Sequence, residues 1–239
     1  MNPRYFNRHR RIGAVALSVG VLVSFVPAHA ALIGVLSDGR QAEYLSLLGS
    51  SSAAARLALA QDGHELITIG SLALPVLNTV EVLWLPLLDV GRSYTAQERA
   101  NIVQFAVSGG RVVWIGDADV YNGGDNSLLS AFGMGKLTGN LNAALTPDPS
   151  AAWHPVLSGP HGSVQQVAAN TGYGLFTAAA GVVGVFTGEN TQEPPQAGVL
   201  AGFLSAESGF AGAGRVVFVC ESSLFGHCLL YTSPSPRDS

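Results

Sequence analysis

Short, continuous apolar runs recur along the first half of the chain, and each ends at a polar or glycine-rich turn. Strands that are buried on both faces of a parallel sheet have this pattern, whereas half-exposed strands alternate apolar and polar residues. The pattern predicts four such strands, at residues 32–36, 65–69, 80–88 and 111–115.

Two segments between these runs have the composition and spacing of helices. Residues 41–61 are rich in Ala and Leu, and they predict a helix with a break around residues 49–52. Thr95 and Glu98 have the capping-box spacing of a second helix start, and Gly109-Gly110 predicts its end. The apolar residues expected on the inner side of this second helix are Ile102, Val103, Phe105, Ala106 and Val107.

The second half of the chain is richer in short β-type runs. A short helix is expected at residues 126–132, and the predicted strands are residues 164–167, 175–176, 182–186, 199–204 and 214–220. Alternation of strands and helices in the first half favours an α/β fold with right-handed crossovers. We therefore predict a doubly wound, mostly parallel sheet of flavodoxin-like or amidotransferase-like type, with a first-half strand order of 2-1-3-4 and a β-rich second half.

The amino terminus has the pattern of a secretory signal. A basic segment (residues 4–11) precedes an apolar run (residues 12–26), and the small residues Ala28 and Ala30 follow. The run of about 15 residues is shorter than the ~20 residues of a membrane-spanning helix. We predict that residues 1–30 are a cleavable signal peptide. The mature domain would then be periplasmic, extracellular or on the cell surface, with no membrane span in its visible chain.

The carboxyl terminus does not fit the rest of the chain. Residues 228–239 resemble a translated sequencing adapter, so we expect them to be artefactual. The expected native part is one α/β domain, residues 31–227, truncated at its C-terminus because the native chain would continue past His227. Only Cys220 is then native, which excludes an intramolecular disulfide.

The charge of this domain limits its partners. Of the 12 basic and 16 acidic residues in the chain, five basic residues and one acidic residue lie in the two ends. The domain keeps 7 basic and 15 acidic residues, for a net charge of −8. Such a charge argues against binding to nucleic acid or to anionic membranes.

Four stretches, residues 95–98, 105–117, 154–159 and 214–223, resemble the class I glutamine amidotransferase-like superfamily, and in particular its uncharacterised exported DUF4350-like branch. The resemblance implies the flavodoxin-like sheet predicted above. Amidotransferases of this class carry a nucleophilic Cys in a glycine-flanked elbow. The chain has no G-x-C-x-G and no G-x-S-x-G, so the resemblance does not imply glutaminase chemistry.

Acidic residues follow the predicted strands, where ligands of open parallel sheets bind. The candidate ligand-binding residues are Asp38, Asp89, Asp117, Asp119 and Glu221. With the predicted strand order, Asp38, Asp89 and Asp117 would converge, and they could hold a divalent cation or bind sugar hydroxyls. The alternative is that each carboxylate caps a helix or a turn. No cofactor other than this possible cation is expected.

Cys220 is a weak catalytic candidate because no glycine elbow presents its thiol. Its only plausible partners, His154 and His161, lie beside prolines and are expected to be surface or turn histidines. Trp153 could stack on a sugar, but we expect it to cover the edge of the core. Trp84 and Trp114 lie in predicted strands and are expected in the core.

We therefore expect an exported, non-catalytic binding or surface-interaction domain, with a carbohydrate or another small polar ligand at the rim of the sheet. Two alternatives remain at this point. One is a hydrolase or amidase-like enzyme, and the other is a cell-surface protein that has lost a sorting or anchor tail.

Overall fold

The computed structural model describes most of the expected domain. Described are residues 30–117, 121–141, 144–152, 154, 157–159, 162–168, 173–190, 196–205, 210 and 212–222. Of the expected signal peptide only Ala30 is described, and residues 228–239 lie outside the described residues. Among the described residues, no helix is long and apolar enough to cross a membrane.

Thirteen strands and four α-helices are described in these residues. The strands are β1 (Leu32–Leu36), β2 (Glu65–Ile69), β3 (Val82–Leu85), β4 (Arg111–Ile115), β5 (Leu137–Leu141), β6 (Ala144–Leu145), β7 (Ser158–Gly159), β8 (Gly162–Ser163), β9 (Val167–Ala168), β10 (Tyr173–Phe176), β11 (Val183–Asn190), β12 (Gln196–Ser205) and β13 (Arg215–Val219). The helices are α1 (Ala53–Gln61), α2 (Leu74–Leu77), α3 (Ala96–Val107) and α4 (Asn122–Ala131), with 3₁₀ turns at Glu43–Leu45, Ser50–Ser52 and Pro149–Ala151.

The main sheet has a parallel part and an antiparallel part. The parallel strands follow the order β2-β1-β3-β4-β13, so the predicted 2-1-3-4 order is confirmed. Beyond β13 the order continues β12-β10-β5 with antiparallel pairing, and β11 also pairs with β12. The result is a mixed α/β architecture that is flavodoxin-like at a coarse level, with the expected β-rich second half.

One hydrophobic core joins the two parts of the sheet. The Trp114 ring of β4 packs edge-on against Phe218 of β13, with ring centroids 5.9 Å apart. Phe218 also contacts Phe132 after α4 at 5.5 Å and Phe176 of β10 at 5.9 Å. Trp84 and Trp114 are both buried, as expected for core residues.

The capping box of α3 forms as the sequence predicts. Thr95 Oγ1 accepts a hydrogen bond from the Glu98 N–H at 3.2 Å, and Glu98 Oε2 accepts one from the Thr95 N–H at 2.8 Å. Ile102, Phe105 and Ala106 are buried on the inner side. Val107 is 37 % exposed instead, because it lies outside the stripe formed by those three residues.

In the first half of the chain, two element bounds differ from the prediction. Much of the expected helix at residues 41–61 is 3₁₀ turn and loop, because serines bond to nearby backbone: Ser52 Oγ donates to the Ser46 carbonyl at 2.9 Å. Only α1 is α-helical there, and none of its residues is buried. The third strand is Val82–Leu85, shorter than expected, since Pro86 has no N–H for the ladder.

Candidate functional site

The carboxyl ends of β1, β3, β4 and β13 lie on one edge of the sheet because these strands are parallel. We call this the carboxyl edge. Neighbouring strands are ~4.8 Å apart, so the ends of β1 and β4, with β3 between them, are separated by ~10 Å. The polar residues after these strands therefore lie within reach of one small ligand.

Asp117 connects the ends of β4 and β13. Its Oδ2 accepts a hydrogen bond from Ser222 Oγ and another from the Ser222 N–H at 3.3 Å. Both residues are buried, and 105 positions separate them in the chain. This contact fixes the position of the Asp117 carboxylate.

Asp125 of α4 lies behind Asp117. Its Oδ2 accepts a hydrogen bond from the Asp117 N–H at 3.0 Å, and its side chain is 1 % exposed. Burial, with a further effect of the Asp117 charge, raises the pKa of Asp125 well above its ordinary value. Gly116 leaves space for this carboxyl, since a Cβ there would lie 2.9 Å from Asp125 Oδ2.

Cys220 and Glu221 follow β13 and are fully buried. Burial raises the pKa of the Cys220 thiol, and the charges of Asp125, Asp117 and Glu221 raise it further. A nucleophilic cysteine needs a lowered pKa and access to its substrate. These surroundings favour the protonated thiol and give no support to a catalytic Cys220.

Tyr94 precedes α3, and its side chain is buried together with its hydroxyl group. Its Oη has no hydrogen-bond partner among the residues that the structure describes. The pKa of Tyr94 is raised by burial first and by the charge of Asp125 second, so the hydroxyl keeps its proton. Buried polar groups without a partner are rare in folded proteins, and each has a free-energy cost.

An ion-pair network closes the β1 side of the carboxyl edge. Arg40 Nη2 lies 2.6 Å from Asp38 Oδ2 and 2.6 Å from Glu98 Oε1. The hydrogen bonds that Arg40 donates to Asp38 first and to Glu98 second raise its pKa. Burial alone would raise the pKa of Glu98, but hydrogen bonds from Arg40 and Thr95 outweigh it and lower that pKa. The Arg40 Cζ also lies 5.9 Å from the centre of the Tyr94 ring.

A polar cavity of about 200 Å³ lies beyond the end of β1. It is lined by Ser37, Gln41, Glu43, Ser46, Leu48 and Gly49. The Gln41 side chain holds its wall in place, since Oε1 accepts from the Gly39 N–H at 3.0 Å and Nε2 donates to Ser37 Oγ at 3.1 Å. The cavity therefore offers hydroxyl, amide and carboxylate groups to a ligand.

The structure brings only some of the predicted site residues together. Asp117 is hydrogen-bonded to Asp125 and Ser222, and Glu221 is buried next to Cys220 in the chain. Asp38 instead binds Arg40 and caps its own turn by accepting the Arg40 N–H at 3.1 Å. Asp89 is exposed, and Asp119 lies outside the described residues. The described residues include no group of three His, Cys, Asp or Glu side chains placed to hold a metal ion. Asp38, Asp89 and Asp117 are thus not assembled as the expected cation site.

His154 lies in a turn, as expected, but it is not on the surface. It is buried and packs edge-on against Phe203 at 4.4 Å, and burial together with the charge of Arg215 lowers its pKa. His161 and Trp153 lie outside the described residues.

The site residues predicted from the sequence do not include Tyr94, Asp125 or Ser222. Two weak signals were present. Tyr94 stands directly before the capping box, and Asp125 follows Gly123-Gly124, which is too weak a pattern to indicate a phosphate loop.

No protein-family model and no curated protein sequence matches the chain. Among solved structures it is similar to the N-terminal domain of mmIFT52, with 12% identity over 81% of this chain and 87% of that chain and a TM-score of 0.56. It is also similar to a ThuA-like protein from Bacteroides uniformis, with 10% identity over 80% and 81% of the two chains and a TM-score of 0.50. ThuA-like proteins have the class I glutamine amidotransferase-like fold. At such identities the likeness concerns the fold alone.

Proposed function

We propose that this chain is an exported, non-catalytic binding domain whose carboxyl edge takes a small polar ligand, such as a carbohydrate. The observation that carries the proposal is the buried Tyr94 hydroxyl, which has no hydrogen-bond partner among the described residues. Export rests on the signal pattern of residues 1–30. The doubly wound, amidotransferase-like interpretation is supported by the ThuA-like neighbour.

The Tyr94 hydroxyl favours a ligand that accepts a hydrogen bond. The raised pKa of Tyr94 keeps its hydroxyl protonated, so this group can donate. A ligand oxygen that accepts a hydrogen bond from Tyr94 would supply the partner that this hydroxyl lacks. It would thereby remove the free-energy cost of an unsatisfied buried polar group, about 1–3 kcal/mol. This is a reason for the hydroxyl to remain unsatisfied in the free protein.

The size and lining of the cavity beyond β1 indicate the size of the ligand. Its volume of about 200 Å³ lies below the ~300–1,000 Å³ of sites for drug-sized molecules. A single sugar ring or a polyol suits this space. Ser37, Gln41 and Ser46 would meet its hydroxyls, and the ~10 Å from β1 to β4 brings the Asp117 region within reach of a disaccharide.

The same residues favour binding over catalysis. The Cys220 thiol is buried, and burial together with the charges of three carboxyl groups raises its pKa, which disfavours the thiolate that nucleophilic attack requires. The Asp117 carboxylate is held by two hydrogen bonds from Ser222. The carboxyl edge therefore has fixed hydrogen-bonding groups and lacks an activated nucleophile among its described residues.

Ligand-observed NMR on the full chain, with a panel of neutral monosaccharides, disaccharides and polyols, tests this proposal. Calorimetry on each ligand found should show about tenfold weaker binding for Tyr94→Phe, the loss of roughly one hydrogen bond. The control is Glu65→Gln, at the exposed start of β2. The proposal fails if no member of the panel binds, or if Tyr94→Phe binds as tightly as the unmodified chain.

A further inference from the structure

A second cavity lies at the opposite edge of the parallel strands, which we call the amino edge. Its volume is about 370 Å³, larger than that of the cavity beyond β1. Asn78 and Glu81 before β3, Ser108 and Gly110 after α3, and Arg111 at the start of β4 line it. None of these residues belongs to the carboxyl edge.

The sharp turn from α3 into β4 creates this space. Gly109 adopts a φ of 107°, in the left-handed region that favours glycine. Gly110 packs against the ring of Phe105 so closely that a Cβ would overlap it. The chain can therefore reverse direction within two residues, which leaves the starts of β3 and β4 open.

Two arginines lie side by side at this edge. Arg111 begins β4 and Arg215 begins β13, and they are direct register partners. Register partners on neighbouring strands lie about 5 Å apart and point to the same face. Both side chains are exposed, and together they are two of the seven basic residues in a domain of net charge −8. Like charges placed directly opposite destabilise a sheet, so a pair of arginines here calls for a reason.

The Arg111 guanidinium is available to a ligand. It makes no hydrogen bond or ion pair with any residue in the described part of the chain. Its planar fork of N–H donors matches the oxygens of a carboxylate or phosphate group. Arg215 adds a second positive charge one strand away.

Other groups in the cavity complete a set of donors. Ser108 Oγ accepts a hydrogen bond from Gln104 Nε2 at 3.0 Å, which leaves its own O–H to donate. The last carbonyls of α3 accept bonds from Gly110, Ala213 and Gly214, so little unsatisfied negative charge faces the cavity. Among the described residues that line the cavity, Glu81 is the one acidic side chain, and it opposes an anion.

We propose that the amino edge is a second binding site, which holds the carboxylate or phosphate group of a small anionic ligand. Arg111 binds the oxyanion directly, Ser108 donates a hydrogen bond, and Arg215 strengthens the local positive potential. Glu81 limits the affinity. The site is independent of the proposed carboxyl-edge function, since no residue is shared.

Titration of the full chain with inorganic phosphate, and separately with acetate, at constant ionic strength tests this site. Thermal unfolding and the arginine Nε–H signals in NMR spectra would be followed. We expect a saturable response to at least one anion. Arg111→Gln should weaken it at least about tenfold, as expected for a charge-assisted hydrogen bond, and Arg215→Gln should weaken it less.

Lys136→Gln is the matched control, because it removes the same charge at an exposed position outside the cavity. Glu81→Gln should strengthen anion binding several-fold, a gain that loss of structure would not produce. The site is refuted if neither anion gives a saturable response, if Arg111→Gln and Lys136→Gln respond alike, or if Glu81→Gln weakens binding. A response to only one anion identifies which oxyanion the site takes.

Discussion

Charged side chains are buried at one edge of the sheet and exposed at the other. At the carboxyl edge, acidic side chains are buried together, and hydrogen bonds between distant parts of the chain hold them. At the amino edge, two arginines stand in solvent beside an open cavity. Water screens the exposed pair, whereas burial makes each carboxyl charge costly and raises the pKa of Asp125. Burial therefore makes the charged groups of the carboxyl edge costly to folding stability, whereas the exposed arginines of the amino edge cost little.

The largest expected effects come from a glycine at each edge. A Cβ on Gly214 would overlap the carbonyl oxygens of Ala106 and Gly110, which are backbone atoms and cannot turn away. We expect Gly214→Ala to lower the free energy of unfolding by about 3 kcal/mol or more. Gly116→Ala should cost about 2 kcal/mol, since its Cβ would lie 2.5 Å from the Trp114 ring.

Urea denaturation measures both effects. Gly70→Ala is the control, because nothing lies within 4 Å of a Cβ there. Equal costs at Gly214, Gly116 and Gly70 would show that neither edge depends on these close approaches.

The next effect separates the charge of Asp125 from its hydrogen bond. Because its folded pKa is raised above the ordinary value of 3.8, the folded state binds the extra proton. The stabilisation that the folded state gains by binding this proton is complete below about pH 3.8. It is lost as the pH rises through the folded pKa of Asp125. Asp125→Asn should therefore be more stable than the unmodified chain at pH 7, with the difference vanishing in acid.

Asp125→Ala removes the acceptor of the Asp117 N–H and should cost about 1–3 kcal/mol. Chemical denaturation between pH 4 and pH 8 compares the two variants. A pH profile for Asp125→Asn that parallels the unmodified chain would exclude this role of the buried charge.

Tyr94→Phe is expected to stabilise the protein while weakening ligand binding. The hydroxyl that it removes has no hydrogen-bond partner among the described residues, so its loss should add about 1 kcal/mol. For a domain of this size that corresponds to a Tm higher by about 2–4 °C. Calorimetric unfolding checks the change, and a lower Tm would indicate that the hydroxyl supports the fold.

The smallest effect is expected at the amino edge. Arg111→Gln removes the like-charge contact with Arg215 and should stabilise the sheet by about 0.5 kcal/mol. The gain should disappear at 1 M salt, where charges are screened within ~3 Å. Urea denaturation at low and high salt measures it, and a gain that persists at high salt would exclude a charge effect.

The parallel part of the fold could be predicted closely, and the antiparallel part less so. β1, β2 and β4 have the predicted bounds because their apolar runs are continuous. β11 extends to Asn190, beyond the predicted residue 186, since backbone pairing with β12 includes polar residues that give no apolar signal. β5 contains Gly139 and Asn140, and it has no strand pattern for the same reason.

The position of the carboxyl edge could be predicted, but its membership could not. Parallel strand ends meet whatever residues follow them, so strand order alone located the edge. Whether a carboxylate turns inward depends on its neighbours in space. Asp38 is held by Arg40 two residues away, whereas Asp117 is held by Ser222 from the far end of the domain. The order of residue types along the chain does not reveal the contact between Asp117 and Ser222.

Helix α1, none of whose residues is buried, is expected to be a site of local unfolding in the domain. It contributes little to the core, and it leads into β2, which is the outermost strand of the parallel part. Local opening of such a corner needs less free energy than global unfolding. Amide hydrogens of α1 should therefore exchange with deuterium well before those of β4. This local opening should leave both edges of the sheet intact.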